Sequence, residues 1–317
     1  MGGLCLTLAG VTGHPFRFLL RAVLFVSSFA VSARAEGPWA PRLEFRFSTS
    51  STLFARPGVG PDGAVYVGSG DGYVHALSPE GIYRWSYTVK GRVVAPPVEE
   101  PKSRRVFIAT SEGRLYALEA DSHLRWVATL PSAPKSELSL SPKGTLYFVG
   151  VDNHLYGMTT GGALTLRLAA RGARSAPLAL PNGRTQVVLE DTFATLKGYG
   201  YERAPLPGPF ARTAKLSLAA ENAVLACEDG QARALGGGAL PLSLESDCLS
   251  APVEGDGFYA IAEASGEVRL AFADGRSLPV AVGSAPLRPV WDAPRRRLVV
   301  ASATGSLAVL KVPRGGP

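Results

Sequence analysis

The sequence predicts an all-β chain folded as a single β-propeller of seven four-stranded blades, closed by its own N-terminal strand, and three observations carry that expectation. A turn rich in Asp and Gly recurs at a period near 40 residues. Five positions before the last residue of each turn stands a large apolar side chain: Val67, Ile108, Phe148, Val187, Leu225, Ile261 and Val300, spaced by 41, 40, 39, 38, 36 and 39. The residue that follows is small or β-branched in every copy: Gly68, Ala109, Val149, Val188, Ala226, Ala262 and Ala301. Four strands repeated at this period are the sequence signature of a propeller.

Within each repeat, the strand carrying these two columns is apolar on both faces, as a strand is when sheets cover it on either side. The turns after it are Ser69-Gly-Asp-Gly72, Thr110-Ser-Glu-Gly113, Gly150-Val-Asp-Asn153, Cys227-Glu-Asp-Gly230, Ala264-Ser-Gly266 and Ala303-Thr-Gly305, with a weaker copy at Glu190-Asp-Thr192. Asp-Gly there predicts a hairpin whose two central residues both need positive φ. The next strand brings Ala76-Leu77, Ala117-Leu118, Gly157-Met158, Ala234-Leu235 and Val309-Leu310 into matching places. Pro61-Asp-Gly63, Ser141-Pro-Lys-Gly144 and Pro181-Asn-Gly183 end a short strand ahead of that hairpin, and Tyr83-Arg-Trp-Ser-Tyr87 and Leu124-Arg-Trp-Val127 form a fourth behind it. The repeats span about 57–89, 95–129, 137–170, 175–210, 213–245, 250–282 and 287–312. The last has three strands, and Leu43-Glu-Phe-Arg-Phe47, within residues 42–48, has the pattern of the missing fourth; its pairing there would cover open edges. Six and eight blades are the alternatives, because the fourth repeat lacks Gly in its turn and the stretch from Tyr199 to Pro209 carries too much Gly and Pro for a regular strand.

Residues 1–35 read as a secretory signal peptide: Arg17 and Arg21 precede an uncharged run from Ala22 to Val31, and Ala33-Arg34-Ala35 predicts cleavage after Ala35. As a helix that run rises only ~15 Å against a hydrocarbon core of ~30 Å, so no membrane span is expected in the mature domain, residues 36–317. The formal charge of +7 then falls to a mild excess, since three Arg and no acid leave with the first 35 residues. No basic stripe with interleaved aromatics is present, so nucleic acid is not an expected partner. Export to the periplasm or beyond places Cys227 and Cys248 in an oxidising compartment, and strand positions sharing one face make a disulfide feasible; two separate buried thiols are the alternative.

The copies at 64–86 and 105–127, with Val-Tyr-Val-Gly-Ser-Gly-Asp-Gly-Tyr-Val-His-Ala-Leu and Val-Phe-Ile-Ala-Thr-Ser-Glu-Gly-Arg-Leu-Tyr-Ala-Leu ahead of a Trp on the outer strand, resemble pyrroloquinoline-quinone-type propeller repeats. The resemblance is close there, recognisable at 145–158 and weaker beyond. That family includes quinoprotein dehydrogenases and non-enzymatic envelope proteins, among them the propeller subunit of the outer-membrane β-barrel assembly machinery. The dehydrogenases carry vicinal cysteines and a calcium site, and no position here receives those residues by motif. No catalytic residue, cofactor or metal is therefore expected.

Other motifs carry little chemistry. Gly58-Val-Gly-Pro-Asp-Gly63 fits a dinucleotide pattern, but a strand rather than a helix follows it. His75, His123 and His154 fall in different blades without zinc spacing, and His14 leaves with the signal peptide. Asp71, Glu112, Asp152, Asp191 and Asp229 occupy equivalent turns and would form an acidic docking arc on one face, unless Asp serves only the turn backbone. At the other end, Lys102, Arg104, Arg105, Lys143, Arg184 and Arg295-Arg-Arg297 against Glu254 and Asp256 read as a solvated mixed surface. The expected function is an exported, monomeric, non-enzymatic propeller that binds or scaffolds an envelope protein; a quinone-dependent oxidoreductase and a glycan- or peptide-binding propeller are the alternatives.

Overall fold

The computed structural model describes residues 40–206, 211, 213–220, 223–228, 231–235, 242–244, 246–272, 275–282 and 285–313. The predicted cleavage site at Ala35 lies outside them. Among the described residues, seven four-stranded antiparallel sheets follow one another along the chain. The first six are Gly58–Val59 to Tyr83–Thr88, Val98–Glu99 to Leu124–Thr129, Ser139–Leu140 to Leu164–Ala169, Leu178–Ala179 to Gly200–Pro205, Lys215–Ala220 to Leu242–Ser243, and Val253–Glu254 to Ser277–Ala281. In blade 7, Val290–Asp292, Arg297–Ala301 and Ser306–Lys311 are completed by Arg42–Ser48, which pairs antiparallel with Ser306–Lys311. First strands touch between blades 1 and 2, 3 and 4, 6 and 7, and 7 and 1, so blade 1 meets both blade 2 and the last blade and the ring closes about an axis lined by first strands.

No blade buries itself. The apolar core consists of seven clusters, each assembled from two neighbouring blades, such as Phe107 and Leu115 of blade 2 with Phe148 and Tyr156 of blade 3. This is why the second strands are apolar on both faces; Val65–Gly68, Val106–Ala109 and Arg297–Ala301 are buried throughout. The small column has its own cause. Each chain segment entering a new blade crosses the end of that blade's second strand, with bridges Val93 to Thr110, Pro134 to Gly150, Ala173 to Leu189, Cys248 to Glu263 and Pro286 to Ser302. The same segment also packs on the preceding blade: a Cβ on Gly68 of blade 1 would stand 2.3 Å from the side chain of Val93, which enters blade 2, so there is no room there.

Two expectations are corrected. The hairpin turns need one residue of positive φ, not two: Gly72, Gly113, Asn153, Gly266 and Gly305 have it, while the residues before them do not. Asp earns its place through its side chain, since Asp71 Oδ1 accepts the Tyr73 N–H at 3.3 Å and the Ser69 hydroxyl. Blade 4 is regular, with Gly200–Pro205 pairing Thr192–Lys197 along its length. There Glu190 takes the left-handed conformation at φ 53°, Gly198 at φ 59° turns the chain into the outer strand, and Pro205 ends an edge strand where a missing N–H costs little.

Closure is also stapled by charge. Arg297, predicted to be solvated, is 3% exposed. Its guanidinium pairs with Asp292 at 2.9 Å and donates across the seam to the carbonyls of Gly63 (3.0 Å) and Pro79 (2.5 Å) in blade 1. Arg104 likewise binds Asp62 and the buried carboxylate of Glu99, which also accepts from the Tyr66 hydroxyl at 2.9 Å. Arg297→Ala is expected to lower unfolding free energy by about 3–5 kcal/mol in urea titrations, because it leaves the buried Asp292 carboxylate with only the 3.5 Å contact of Arg295. Arg297→Met combined with Asp292→Leu is expected to recover most of that loss; equal losses in both variants would refute the pairing as its cause.

Candidate functional site

The ladder register aligns the first strands of the seven blades: Gly58, Val98, Ser139, Leu178, Leu218, Val253 and Val290 face the residue preceding the large apolar column. Two residues earlier stand Arg56, Pro96, Glu137, Ala176, Leu216, Ala251 and Arg288, and all but Pro96 line a pair of cavities on the axis. Between the two positions Pro recurs, at Pro57, Pro97, Pro177, Pro252 and Pro289. Proline suits an innermost edge strand, where it fixes φ and its missing N–H breaks no ladder bond, and it holds the residue before it extended.

The outer cavity, about 400 Å³, lies at the end of the ring where chain segments enter each blade; the deeper one, about 190 Å³, shares Glu137, Ala176, Leu216 and Arg288 with it. At their junction Arg56 grips Glu137 in a bidentate fork, Nε to Oε1 at 2.6 Å and a terminal nitrogen to Oε2 at 2.7 Å. Arg288 approaches the same Oε2 from blade 7 at 3.6 Å, and its Nε–H is buried with no hydrogen-bond partner. Burial alone would raise the Glu137 carboxyl; the charge and hydrogen bonds of Arg56, with the charge of Arg288, outweigh it and hold the group at about 2. Burial pushes the Arg288 guanidinium down, against the pull of Glu137.

The acidic residues expected to form a docking arc lie in the hairpin turns of consecutive blades. Asp71, Glu112, Asp152 and Asp191 occupy equivalent turns, while Asp229 lies outside the described residues. Each is engaged locally: Asp71 with Ser69 and Ser50, Glu112 with Lys90 at 3.7 Å, Asp152 with Tyr156 at 2.5 Å and Arg167 at 3.6 Å, and Asp191 with Arg174 at 3.1 Å. The cations Lys135, Arg174 and Lys215 line the outer cavity, and none of these four acids does.

The remaining motifs are dispersed. Gly58–Val59 is a strand and leads into another, so no phosphate-binding helix follows. His123 pairs with Asp121 (3.0 Å), His154 with Asp152 (3.1 Å), and half-buried His75 packs between Tyr73 and Phe47, where burial lowers its pKa. Among the described residues no group of three or more His, Cys, Asp or Glu could hold a metal, and no helix is long and apolar enough to cross a membrane. Cys227 and Cys248 are joined as a disulfide, with Cα atoms 6.3 Å apart.

The channel triad was hidden in the sequence because 232 positions separate Arg56 from Arg288. The one signal was its column, a charged residue where other repeats carry Pro, Ala or Leu just before strand one.

A family model described as outer membrane protein assembly factor BamB matches residues 34–199 of the 317, more than half of the chain. The crystal structure of BamB from Moraxella catarrhalis is similar with a TM-score of 0.57 and 18% identity, over 86% of this chain and 86% of that one. No curated protein matches the sequence.

Two measurements follow from the site. The Glu137 carboxyl lies below its ordinary value of 4.5, so its stabilisation, on the order of 3 kcal/mol, is full above about pH 4.5 and fades as pH falls toward 2. Acid unfolding of Glu137→Gln is expected to have a shallower slope in that window; an unchanged slope would contradict the assignment. Reducing the Cys227–Cys248 bond, which spans 21 residues, is expected to cost roughly 3 kcal/mol, read as a lower urea midpoint that Cys227→Ser with Cys248→Ser reproduces without reductant.

Proposed function

The chain belongs to the propeller family described as outer membrane protein assembly factor BamB, and from that premise we propose that it is an exported, non-enzymatic scaffold that holds another protein in the cell envelope. The family match carries this reading, and the signal-like N-terminal segment, for which the sequence predicts cleavage after Ala35, supports export.

The arrangement of the axis argues in the same direction. A quinone in the central funnel would meet the Arg56–Glu137 pair and Arg288 across the channel, and the described residues do not fit the carboxylate cluster that a calcium-bound quinone requires. The outer surface suits a protein. Tyr83, Leu124 and Leu164 are exposed at the same place, the first residue of the outermost strand, in three consecutive blades, with Ile82 beside the first of them. Outermost strands also present an unpaired edge to which a partner's strand can add.

Cross-linked affinity capture from envelope extract tests the reading. The wild-type chain is expected to enrich one envelope complex reproducibly over an unrelated exported propeller, and Tyr83→Ser, Leu124→Ser and Leu164→Ser together are expected to reduce that enrichment at least tenfold while leaving the circular dichroism spectrum unchanged. Stoichiometric quinone binding with calcium-dependent dye reduction would overturn it in favour of an oxidoreductase.

A further inference from the structure

Charges scattered along the sequence converge on the axis. Five cations, Arg56, Lys135, Arg174, Lys215 and Arg288, line the two cavities, and Glu137 is the one carboxylate lining them. Arg56 takes one hydrogen bond on each Glu137 oxygen, and Arg288 stands 3.6 Å from the same carboxylate, longer than a hydrogen bond. Arg174 spends its terminal nitrogens on Asp191 and the Ala211 carbonyl, leaving its Nε–H buried without a partner, as is that of Arg288. Both Arg174 and Arg288 line the outer cavity, and together with Lys135, Lys215 and Arg56 they outnumber the one carboxylate of the two cavities by five to one. A guanidinium stays protonated in any protein environment, so this excess of positive charge persists, and an anion entering the cavity balances it.

We propose that this cavity binds an organic polyanion through carboxylate groups, one seated against Arg288 beside the Arg56–Glu137 pair and another held at the mouth by Lys135, Arg174 and Lys215. A carboxylate is the class indicated because the guanidinium at the base of the channel already holds one, that of Glu137, in two parallel N–H···O contacts. A volume of about 400 Å³ falls in the range of small-molecule sites. The carboxylates can come from a free polycarboxylate or from acidic side chains of a peptide entering the mouth; the chemistry is shared. The inference goes beyond the scaffold reading and does not rest on it, since a partner held on the outer strands leaves the channel open.

Isothermal titration of the purified protein with citrate, with a hexaglutamate peptide and with inorganic phosphate, at matched ionic strength in chloride, decides it. Saturable one-to-one binding of citrate or the peptide is expected, and whichever binds tighter identifies the source. Arg288→Met is expected to weaken it at least tenfold, without loss of thermal stability, because it leaves a balanced Arg56–Glu137 pair. Glu137→Gln is expected to act oppositely, tightening binding several-fold and making the melting temperature depend on the added carboxylate, since the ligand then replaces the missing charge. Arg125→Gln on the outer strand of blade 2 is expected to bind as wild type. Absence of saturable binding by both carboxylates, or unchanged binding in Arg288→Met, would overturn the proposal, and tighter binding of phosphate would overturn the ligand class. Should Glu137→Gln not fold, the Arg288→Met comparison still decides.

Discussion

Everything in this molecule follows from sheets that are buried on both faces and so cannot be stable alone. A blade becomes a folding unit only when a neighbour covers each side, and the seven apolar clusters are all shared between two blades. The repeat period, the doubly apolar second strand and the small residue after it are three consequences of that one requirement. It also forbids free ends: an array of such blades must close, or its terminal blades would each expose a core.

Closure therefore adds specific interactions at the junction of blades 7 and 1. The strand Arg42–Ser48 supplies hydrogen bonds and places Phe45 against Gly81 of blade 1, where a Cβ would stand 2.4 Å from the ring. Trp85 does the equivalent between blades 1 and 2, donating its indole N–H to the Ala120 carbonyl at 2.9 Å. Arg297 adds the charged part of the seam. Buried ions are poor sources of net stability, but a guanidinium with acceptors on both sides of one junction discriminates strongly against a ring closed in another register.

Periodic features were legible and convergent ones were not. The columns at Val67 and Gly68 announced themselves because every blade repeats the same packing problem, and the residues of the N-terminal strand could be assigned because the last repeat lacked a strand. Blade 4 was harder to read: Glu190 in a left-handed conformation and Pro205 at a strand end obey the geometry with unusual residues. Arg297 read as surface because a run of three arginines gives no hint that one turns inward, and Arg56, Glu137 and Arg288 left only the faint signal of a charge in a column of Pro, Ala and Leu, because each is a single departure in its own repeat. Chemistry that depends on one blade differing from the others is lost to any search for what the blades share.

That difference is what gives the axis its character. Ring symmetry alone would place seven like side chains at the level of Glu137, and seven like charges there would repel at short range in a poorly hydrated channel. The chain instead puts one acid and two arginines among Pro, Ala and Leu, which fills the throat with a rigid pair and leaves a single positive charge unanswered. Around it the entry segments contribute the cations Lys135 and Arg174. Away from the segment before Glu36 the chain carries only a slight excess of base, so the positive throat comes from where the fold sends its cations, and a positive potential there draws anions toward the axis.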